Sequence, residues 1–362
     1  MTRSVRIAVA VALVAAAGLW LPAAAYASHL TCGQTVTTNT TLDSDIGPCT
    51  SYGLVVGANG ITIDLNGHRI FGTSAVNDKA GVYLLNKVGV VVRNGTVTDF
   101  DIGVAIEGGS RNTVTGINAQ HNIGGSGGIG GDGIALLSTR SNSVVDNRTV
   151  DNGPFSGIGV YSRVDSDHPR TTSGASQSNV VDGNFVQGNI ISRNRVDATG
   201  TDNDGIRMEN DGAFNTFSNN SVLNNGLDGI SLFADTADNI VRGNTVKGNG
   251  FYRTTARRGS GIIVFSRSTR NLVENNLSTG NADSGIDIRQ PVGSSVGALN
   301  NRILSNTAVG NSVLPFIPSP VFGPSFDLKD GNLNPPCDNN TWFANRYRTF
   351  NQPCVTAGGQ QV

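Results

Sequence analysis

The chain has 362 residues, of which 26 are Lys or Arg and 27 are Asp or Glu, so its formal net charge at pH 7 is −1. This near balance lacks the electrostatic footprint of a nucleic-acid-binding protein and argues against that class. The chain is also rich in glycine (47 residues) and poor in charged residues (15%), a composition that favours tight corners around a stacked interior.

Residues 1–27 have the three parts of a secretory signal. Two arginines precede an apolar run over 7–20, and Ala25-Tyr26-Ala27 forms a small-x-small cleavage site. A membrane anchor is the alternative, but the apolar run is short and Pro22 follows it. We therefore expect a secreted or envelope-located protein that does not span the membrane after cleavage. Its mature chain carries 24 basic and 27 acidic residues, a net charge of about −3.

Residues 28–60 are predicted to form an N-terminal cap. They contain Cys32 and Cys49, and in an exported protein the simplest expectation is that these two cysteines pair, although four cysteines allow three connectivities. A bonded loop of about 16 residues contributes about 3 kcal/mol in the chain-entropy model. Metal binding is the alternative, but the chain has no Cys-x-x-Cys motif and no histidine cluster.

Residues 61–312 carry a triplet of asparagines at five-residue steps. Asn142, Asn147 and Asn152 set the pattern, with an aliphatic or aromatic residue two places after the first asparagine. The intact triplet returns with its first member at Asn179, Asn215, Asn239, Asn271 and Asn301.

Each triplet is paired with a short strand that opens on Gly followed by an aliphatic residue. These strands open at Gly81, Gly103, Gly133, Gly157, Gly205, Gly229, Gly261 and Gly285. Successive starts are 22, 30, 24, 48, 24, 32 and 24 residues apart, so the base period is near 24 and the longer gaps are insertions or a doubled unit. Apolar residues alternate within each run, which is a strand period, and a fixed period of this length indicates a stacked repeat.

In these residues the chain resembles the right-handed parallel β-helices of the pectate lyase-like superfamily, of the exported bacterial type. The resemblance covers about Ile61 to Asn311. It implies an all-β, single-stranded β-helix of about ten coils with disulfide-bonded caps, folded as one domain, and it does not specify a reaction. A helical solenoid is the alternative, but the chain lacks apolar residues at i, i+3 and i+4.

The resemblance also suggests a role for the asparagines. Asparagine tolerates the left-handed backbone of a tight bend, and stacked asparagines hydrogen-bond to the asparagine above and below. We therefore predict that the triplets lie at or beside bends, and that the aliphatic residue after each glycine is buried.

Residues 313–362 are predicted to form a proline-rich loop and a final coil or cap. Asn340, Trp342 and Asn345 repeat the spacing of the earlier coils, and Cys337 and Cys354 are predicted to pair. Aspartates in this segment give a calcium site as one hypothesis and ordinary bend residues as the other. They are Asp327, Asp330 and Asp338.

Insertions predict where a site lies. Residues 124–131 and 250–259 extend one corner of the coils, while residues 163–178 extend the opposite edge. Together they would wall the face formed by the Gly-Ile strands. The alternative is that turns merely tolerate insertions.

Outward positions on this face are bland in the early coils, whereas the later coils gather aromatic and charged residues. These are Tyr161, Arg207, Glu209, Phe233, Phe265, Asp287 and Arg289, with Arg267 nearby. Exposed rings beside charged groups suit a sugar chain, which has apolar faces and polar edges. The alternative is that the rings pack beneath the inserted loops.

Uronate β-elimination or C5-epimerisation needs a cation near the substrate carboxylate and a base for the C5 proton. Arg207 or Arg289 could supply the cation, and Tyr161 or His168 the base. The loop around His168 resembles the Asp/His/Pro motif of alginate epimerases only faintly, since the residue order differs. An ordinary loop histidine is the alternative.

Glycoside hydrolysis needs two carboxylates at a defined separation. Glu209 and Asp287 are three strands apart, about 14 Å, which is too far. Asp204 and Asp228 are adjacent, but as bend residues before glycine they are interpreted as structural. The Asn-Thr-Asp and Gly-His-Gly motifs of polygalacturonases are absent from the sequence.

We therefore predict an exported monomer that acts on or binds acidic polysaccharide, similar to uronate lyases or epimerases. The alternative is a non-catalytic β-helix that binds glycans or the envelope. A third hypothesis is a maturation factor similar to the β-helix proteins that serve copper-enzyme assembly, which share this repeat. The chain has only two Met and four His to supply copper ligands.

Overall fold

The computed structural model describes ten stretches of the chain, and the statements below concern these alone. They are residues 27–73, 79–124, 130–162, 179–182, 185–187, 204–251, 259–290, 296–314, 323–332 and 339–362. The predicted signal lies outside them except for its last residue, as do His168, Cys337, Asp338 and most of each predicted insertion.

These stretches contain short strands throughout. The first eleven are β1 (Ala27–Ser28), β2 (Gln34–Val36), β3 (Thr40–Leu42), β4 (Ile46–Cys49), β5 (Leu54–Val56), β6 (Thr62–Asp64), β7 (Arg69–Gly72), β8 (Ala80–Leu85), β9 (Val91–Thr98), β10 (Ile102–Glu107) and β11 (Thr113–Gln120). The next eleven are β12 (Asp132–Leu137), β13 (Ser143–Val145), β14 (Arg148–Val150), β15 (Ser156–Tyr161), β16 (Val180–Asp182), β17 (Phe185–Gln187), β18 (Asp204–Glu209), β19 (Thr216–Ser218), β20 (Ser221–Leu223), β21 (Ile230–Phe233) and β22 (Ile240–Arg242).

The last eleven are β23 (Thr245–Lys247), β24 (Ile262–Phe265), β25 (Leu272–Glu274), β26 (Leu277–Thr279), β27 (Ile286–Arg289), β28 (Arg302–Leu304), β29 (Thr307–Val309), β30 (Leu328–Gly331), β31 (Thr341–Phe343), β32 (Arg346–Tyr347) and β33 (Gln360–Gln361). A 3-10 helix covers Pro353–Thr356. No helix in the described part of the chain is long and apolar enough to span a membrane.

One parallel sheet contains the strands that open on Gly and an aliphatic residue, and we call it the Gly-Ile sheet. Its order is β2-β5-β8-β10-β12-β15-β18-β21-β24-β27-β30. Ile134 aligns with Ile158, which aligns with Ile206 and then Ile230, so each coil repeats the last without a slip. These aliphatic side chains are fully buried, as predicted.

The other strands form a second parallel sheet that bends within each coil. The eight-residue strands β9 and β11 pair along their whole length, but in later coils the corresponding stretch is divided into two short strands such as β13 and β14. The chain is therefore a parallel β-helix, as the repeat predicted. Strands β1 to β5, within the segment predicted as a cap, are paired into the same two sheets.

The interior combines aliphatic side chains with asparagine ladders. Asn220 Nδ2 donates to Asn244 Oδ1 over 2.9 Å, Asn244 Nδ2 donates to Asn276 Oδ1, and the chain of bonds continues through Asn306 to Asn345. Each backbone N–H donates to the same oxygen as the side chain does. The predicted ladder is confirmed.

The predicted reason for asparagine at the bends is partly wrong. The left-handed residue is the one before each ladder asparagine: Asn219, Asn224 and Asn275 each have φ of 54°. Ladder residues such as Asn220 and Asn276 do not have positive φ. A ladder asparagine must present its N–H and its side chain to the same acceptor in the next coil, so the preceding residue makes the bend.

The N-terminal disulfide is confirmed, since Cys32 and Cys49 are bonded with their Cα atoms 5.4 Å apart. Cys354 is also disulfide-bonded, and its predicted partner Cys337 lies outside the described residues. Strands β30, β31 and β32 stack on β27, β28 and β29, so the C-terminal segment continues the coils.

Candidate functional site

The outer side of the Gly-Ile sheet brings most of the predicted site residues together. In one column of aligned residues, Arg207 lies between Gly159 and Ser231. In the next outward column, Glu209 lies between Tyr161 and Phe233. Phe265 lies two coils after Glu209 and aligns with Arg289 in the following coil. Asp287 of that following coil lies in the column of Arg207. Parallel stacking in constant register thus gathers residues that are up to 128 positions apart in the sequence.

Arg207 is nearly fully buried and bound by acidic side chains of its own strand. Its Nη1 donates to Asp204 Oδ2 over 2.9 Å, and its Nε donates to Glu209 Oε2 over 2.6 Å. Its guanidinium carbon lies 4.4 Å from the centre of the Phe233 ring. Arg207 was predicted to neutralise a substrate carboxylate. Two of its N–H groups already bind Asp204 and Glu209, and this pairing weighs against that role.

Arg289, three coils further along the same face, is also paired with an acidic side chain of its own strand. Its Nη2 donates to Asp287 Oδ2, and Lys329 Nζ lies 3.6 Å from the same oxygen. Burial disfavours the charged guanidinium, but the Asp287 carboxylate outweighs it and raises the pKa of Arg289. Arg289 was predicted to hold a substrate carboxylate and Asp287 to contact the substrate. The burial of Asp287 and its pairing with Arg289 weigh against both roles.

Tyr161 is fully buried, and its hydroxyl donates to Asp132 Oδ1 over 2.8 Å. The hydroxyl also lies 3.1 Å from Ser156 Oγ. Burial, and then the Asp132 carboxylate, raise the pKa of Tyr161 well above its ordinary value, since both disfavour a phenolate. Its burial and its raised pKa weigh against the predicted role of Tyr161 as the base.

Phe233 and Phe265 stack on each other and remain half-buried. Their ring centres are 4.8 Å apart at an interplanar angle of 22°, about one strand spacing. One face of Phe233 meets Phe265, and the guanidinium of Arg207 lies over the ring. The rings were predicted as a stacking surface for a sugar, but they stack on each other along the axis of the coils, so one face of each ring is already covered.

Arg267 lies beside the strip, in the bend after β24. It is exposed, and its Nε and Nη2 donate to the two carboxylate oxygens of Asp235 in the previous coil. This ion pair offsets the charge of Arg267, which weighs against its predicted contact with a ligand.

Asp204 and Asp228 hold the strand starts together, in agreement with the interpretation of bend residues as structural. Asp204 Oδ1 accepts the backbone N–H of Asp228 over 2.9 Å, and Asp228 Oδ1 accepts that of Ser260 over 2.6 Å. Asp228 is half-buried. Burial, and then the Asp204 carboxylate, raise the pKa of Asp228 well above its ordinary value.

Asp228, Ser231 and Ser260 were not among the predicted site residues. The sequence does contain a pattern that includes Asp228 and Ser260, since a polar residue precedes Gly205, Gly229 and Gly261. We interpreted that column as turn chemistry, and the backbone hydrogen bonds agree with that interpretation. Only the register of the coils places Asp228 on the same face as Arg207 and Phe233.

Two of the three aspartates that suggested calcium, Asp327 and Asp330, serve the last coil, and Asp338 lies outside the described residues. Asp327 Oδ1 accepts Asn311 Nδ2 over 2.9 Å and thereby ends one asparagine ladder. Asp330 accepts hydrogen bonds from the backbone of Asn332 and from Trp342 Nε1. In the described stretches no group of three or more His, Cys, Asp or Glu residues is arranged to hold a metal ion.

Two family models match the sequence. One is described as "Periplasmic copper-binding protein (NosD)" and matches residues 32–251, and the other as "Right handed beta helix region" and matches residues 182–358. No curated protein matches the sequence.

Solved structures with the same fold include a tailspike and an epimerase. The Dettilon tailspike protein (gp208) has a TM-score of 0.54 at 15% identity, and the match covers 87% of this chain but only 54% of the tailspike. The periplasmic alginate epimerase AlgG has a TM-score of 0.51 at 11% identity, with 78% of this chain and 72% of AlgG covered. The chain thus spans about half the length of the tailspike. At these identities the likeness establishes the fold, a right-handed parallel β-helix, and nothing about a reaction.

Proposed function

The chain belongs to the family described as periplasmic copper-binding protein (NosD), and we propose that it is an exported β-helix that binds a neutral polysaccharide without cleaving it. The family and the Cys32–Cys49 bond support an oxidising location outside the cytoplasm. The outer side of the Gly-Ile sheet is the proposed binding surface.

The described residues do not fit a copper site. Met208 is fully buried in the core, with its sulfur 3.4 Å from Asn215 Nδ2. Three histidines, His29, His68 and His121, each lie beside an aspartate in different coils. Copper prefers clustered thioether, thiolate or imidazole ligands, so we derive no role for copper from this family membership.

The groups expected for a lyase or epimerase are occupied. Those reactions need a free cation and a base on the same surface. Arg207 and Arg289 are neutralised by carboxylates of their own strands, and Tyr161 is buried with a raised pKa. Binding therefore accounts for this surface better than uronate chemistry does, and a neutral polysaccharide fits it better than an acidic one.

The observation that carries the proposal is the strip of Glu209, Phe233 and Phe265. All three are half-buried and adjacent on a sheet in constant register. Ring edges offer an apolar contact for the C–H groups of a sugar, and a carboxylate oxygen accepts sugar hydroxyls. Because Arg207 offsets the charge of Glu209, the strip has no cationic excess to select a uronate.

Affinity electrophoresis in gels containing galactomannan, dextran, alginate or pectate tests the proposal. We expect a neutral polysaccharide to retard the protein more than the two acidic ones, and Phe233→Ala to weaken that binding about fivefold or more. Phe343 is the matched control, since it is 56% exposed on the other sheet, and Phe343→Ala should bind like the parent.

Three outcomes would contradict the proposal. Retardation by alginate or pectate in preference to neutral gels would restore the acidic-polysaccharide hypothesis. Unsaturated ends released from either polymer, read by absorbance, would establish lyase activity. Equal binding by Phe233→Ala and the parent would remove the strip as the site.

A further inference from the structure

Some polar groups on the outer side of the Gly-Ile sheet are buried without a hydrogen-bond partner in the described structure, among them Ser231 Oγ, Ser260 Oγ and Asp287 Oδ1. Their residues have at most 1% of their surface exposed. Such groups are rare in folded proteins, because each gives up its hydrogen bonds to water on burial, and they call for an explanation.

The three groups belong to successive coils, and Asp228 lies three residues before Ser231 in the first of them. Ser231 is in β21 and Asp287 in β27, so two strand spacings separate them, about 10 Å along the axis. Ser260 lies just before β24, and its backbone N–H donates to Asp228 Oδ1 over 2.6 Å. Asp228 alone of the four remains partly exposed, and it therefore marks where a ligand would enter.

We infer that Asp228, Ser231, Ser260 and Asp287 form a subsite that hydrogen-bonds the hydroxyl groups of one sugar unit. This inference rests on the proposed function. It adds the polar contacts of a binding surface whose apolar contacts are Phe233 and Phe265. A sugar hydroxyl both donates and accepts, so it satisfies a serine hydroxyl and a carboxylate oxygen alike.

The charges near the subsite favour a neutral ligand over a cation. Asp287 Oδ2 already contacts Arg289 and Lys329, so the remaining oxygen of that carboxylate carries little uncompensated charge. The raised pKa of Asp228 agrees with this chemistry, because a protonated carboxyl group donates a hydrogen bond as well as accepting one.

Serine-to-alanine variants separate a ligand contact from a structural one. In the free protein, Ser231→Ala and Ser260→Ala should leave the thermal midpoint unchanged or raise it, because no hydrogen bond is lost and an unsatisfied group is removed. In galactomannan and dextran gels, each should weaken binding about fivefold or more, the effect of removing one hydrogen bond to a ligand.

Asp228→Asn is the third variant, since an amide retains the acceptor for the Ser260 N–H, and it should weaken binding in the same gels. Ser143→Ala and Asp146→Asn are the controls: Ser143 is half-buried on the outer side of β13, and Asp146 is exposed at a bend. Both should bind like the parent.

The outcomes distinguish a failure of the subsite from a failure of the proposed function. If the serine variants bind like the parent while Phe233→Ala does not, the subsite is wrong and the proposed function stands. If Phe233→Ala also binds like the parent, or if neither neutral gel retards the parent, both are wrong. A lowered thermal midpoint with unchanged binding would assign the serines to folding, and loss of binding in EDTA would assign the subsite to a cation.

Discussion

The inner and outer sides of the Gly-Ile coils are both built as ladders of stacked side chains, but the ladders differ in kind. Inside, one residue type repeats, and Asn220, Asn244 and Asn276 make the same bonds in every coil. Outside, Arg207 and Phe233 occupy places that other coils fill with Ala105 or Leu137. The inner ladder is required in every coil. The outer residues differ from coil to coil, so a specific function is more readily carried by them.

The largest expected effect comes from breaking the inner ladder. In Asn244→Ala, the N–H and Nδ2 of Asn220 lose their acceptor, and the carbonyl of Phe217 and Oδ1 of Asn276 lose a donor. Oδ1 of Asn276 keeps the backbone N–H of residue 244, so three groups lose this partner. Each buried unsatisfied group costs about 1–3 kcal/mol, and we therefore expect a loss of at least about 3 kcal/mol in the free energy of unfolding in urea.

Asn224→Gly is the control for that experiment. Asn224 is exposed with φ of 54°, and Gly248 holds the same place in the next coil. The substitution should leave stability near that of the parent, because glycine adopts positive φ without strain. A loss for Asn224→Gly as large as that for Asn244→Ala would mean that the bend, rather than the ladder, holds the coils together.

A smaller effect is expected from the outer strip. Arg207→Ala leaves Asp204 buried without its partner and removes the contact with the Phe233 ring. Breaking a buried ion pair costs about 3 kcal/mol or more, and the partly exposed Glu209 moderates its share of the loss. The measurement is the urea midpoint, and Arg207→Lys should recover only part of it, since an ammonium group cannot bridge both carboxylates as a guanidinium does.

Arg267→Ala provides the matched exposed pair. It removes a two-bond contact with Asp235 at a side chain that is 58% exposed, and we expect no measurable change in the midpoint, because solvent screens such pairs. If Arg267→Ala destabilises the protein as much as Arg207→Ala does, burial does not separate the two pairs and the comparison fails.

A pH-dependent effect is expected in the last coil, where an acid replaces an aliphatic residue on the inner side. Asp330 aligns with Ile288 of the previous coil, and burial raises its pKa to about 6. Its charged form is therefore costlier in the folded than in the unfolded chain, so this group costs stability above pH 6. That cost, about 3 kcal/mol, is relieved as the pH falls from about 6 to about 4.

Carbon-13 NMR of the carboxyl groups, recorded for the parent and for Asp330→Asn, checks this prediction. One resonance should titrate near pH 6 in the parent and be missing from the variant. A midpoint near 4 for Asp330 would show that the end of the coils is hydrated and that the inner side is not uniformly dry.

Most of the fold was predictable because its physical causes are local and repeated. The spacing of the asparagines and of the Gly-aliphatic pairs predicted parallel strands, buried aliphatic residues and the inner ladder. The pairing of Cys32 with Cys49 followed from their isolation at one end of the chain. A repeat makes each coil the environment of the next, so one coil of sequence specifies the contacts of the neighbouring coil.

The state of the outer residues was decided only by the tertiary structure. The sequence placed Arg207, Phe233 and Arg289 on one face, and the register confirms that position. Whether a guanidinium there is free or paired depends on which carboxylates of the same and adjacent strands reach it, and on how far water is excluded. Those are properties of side-chain packing between coils, and no periodicity in the sequence carries them.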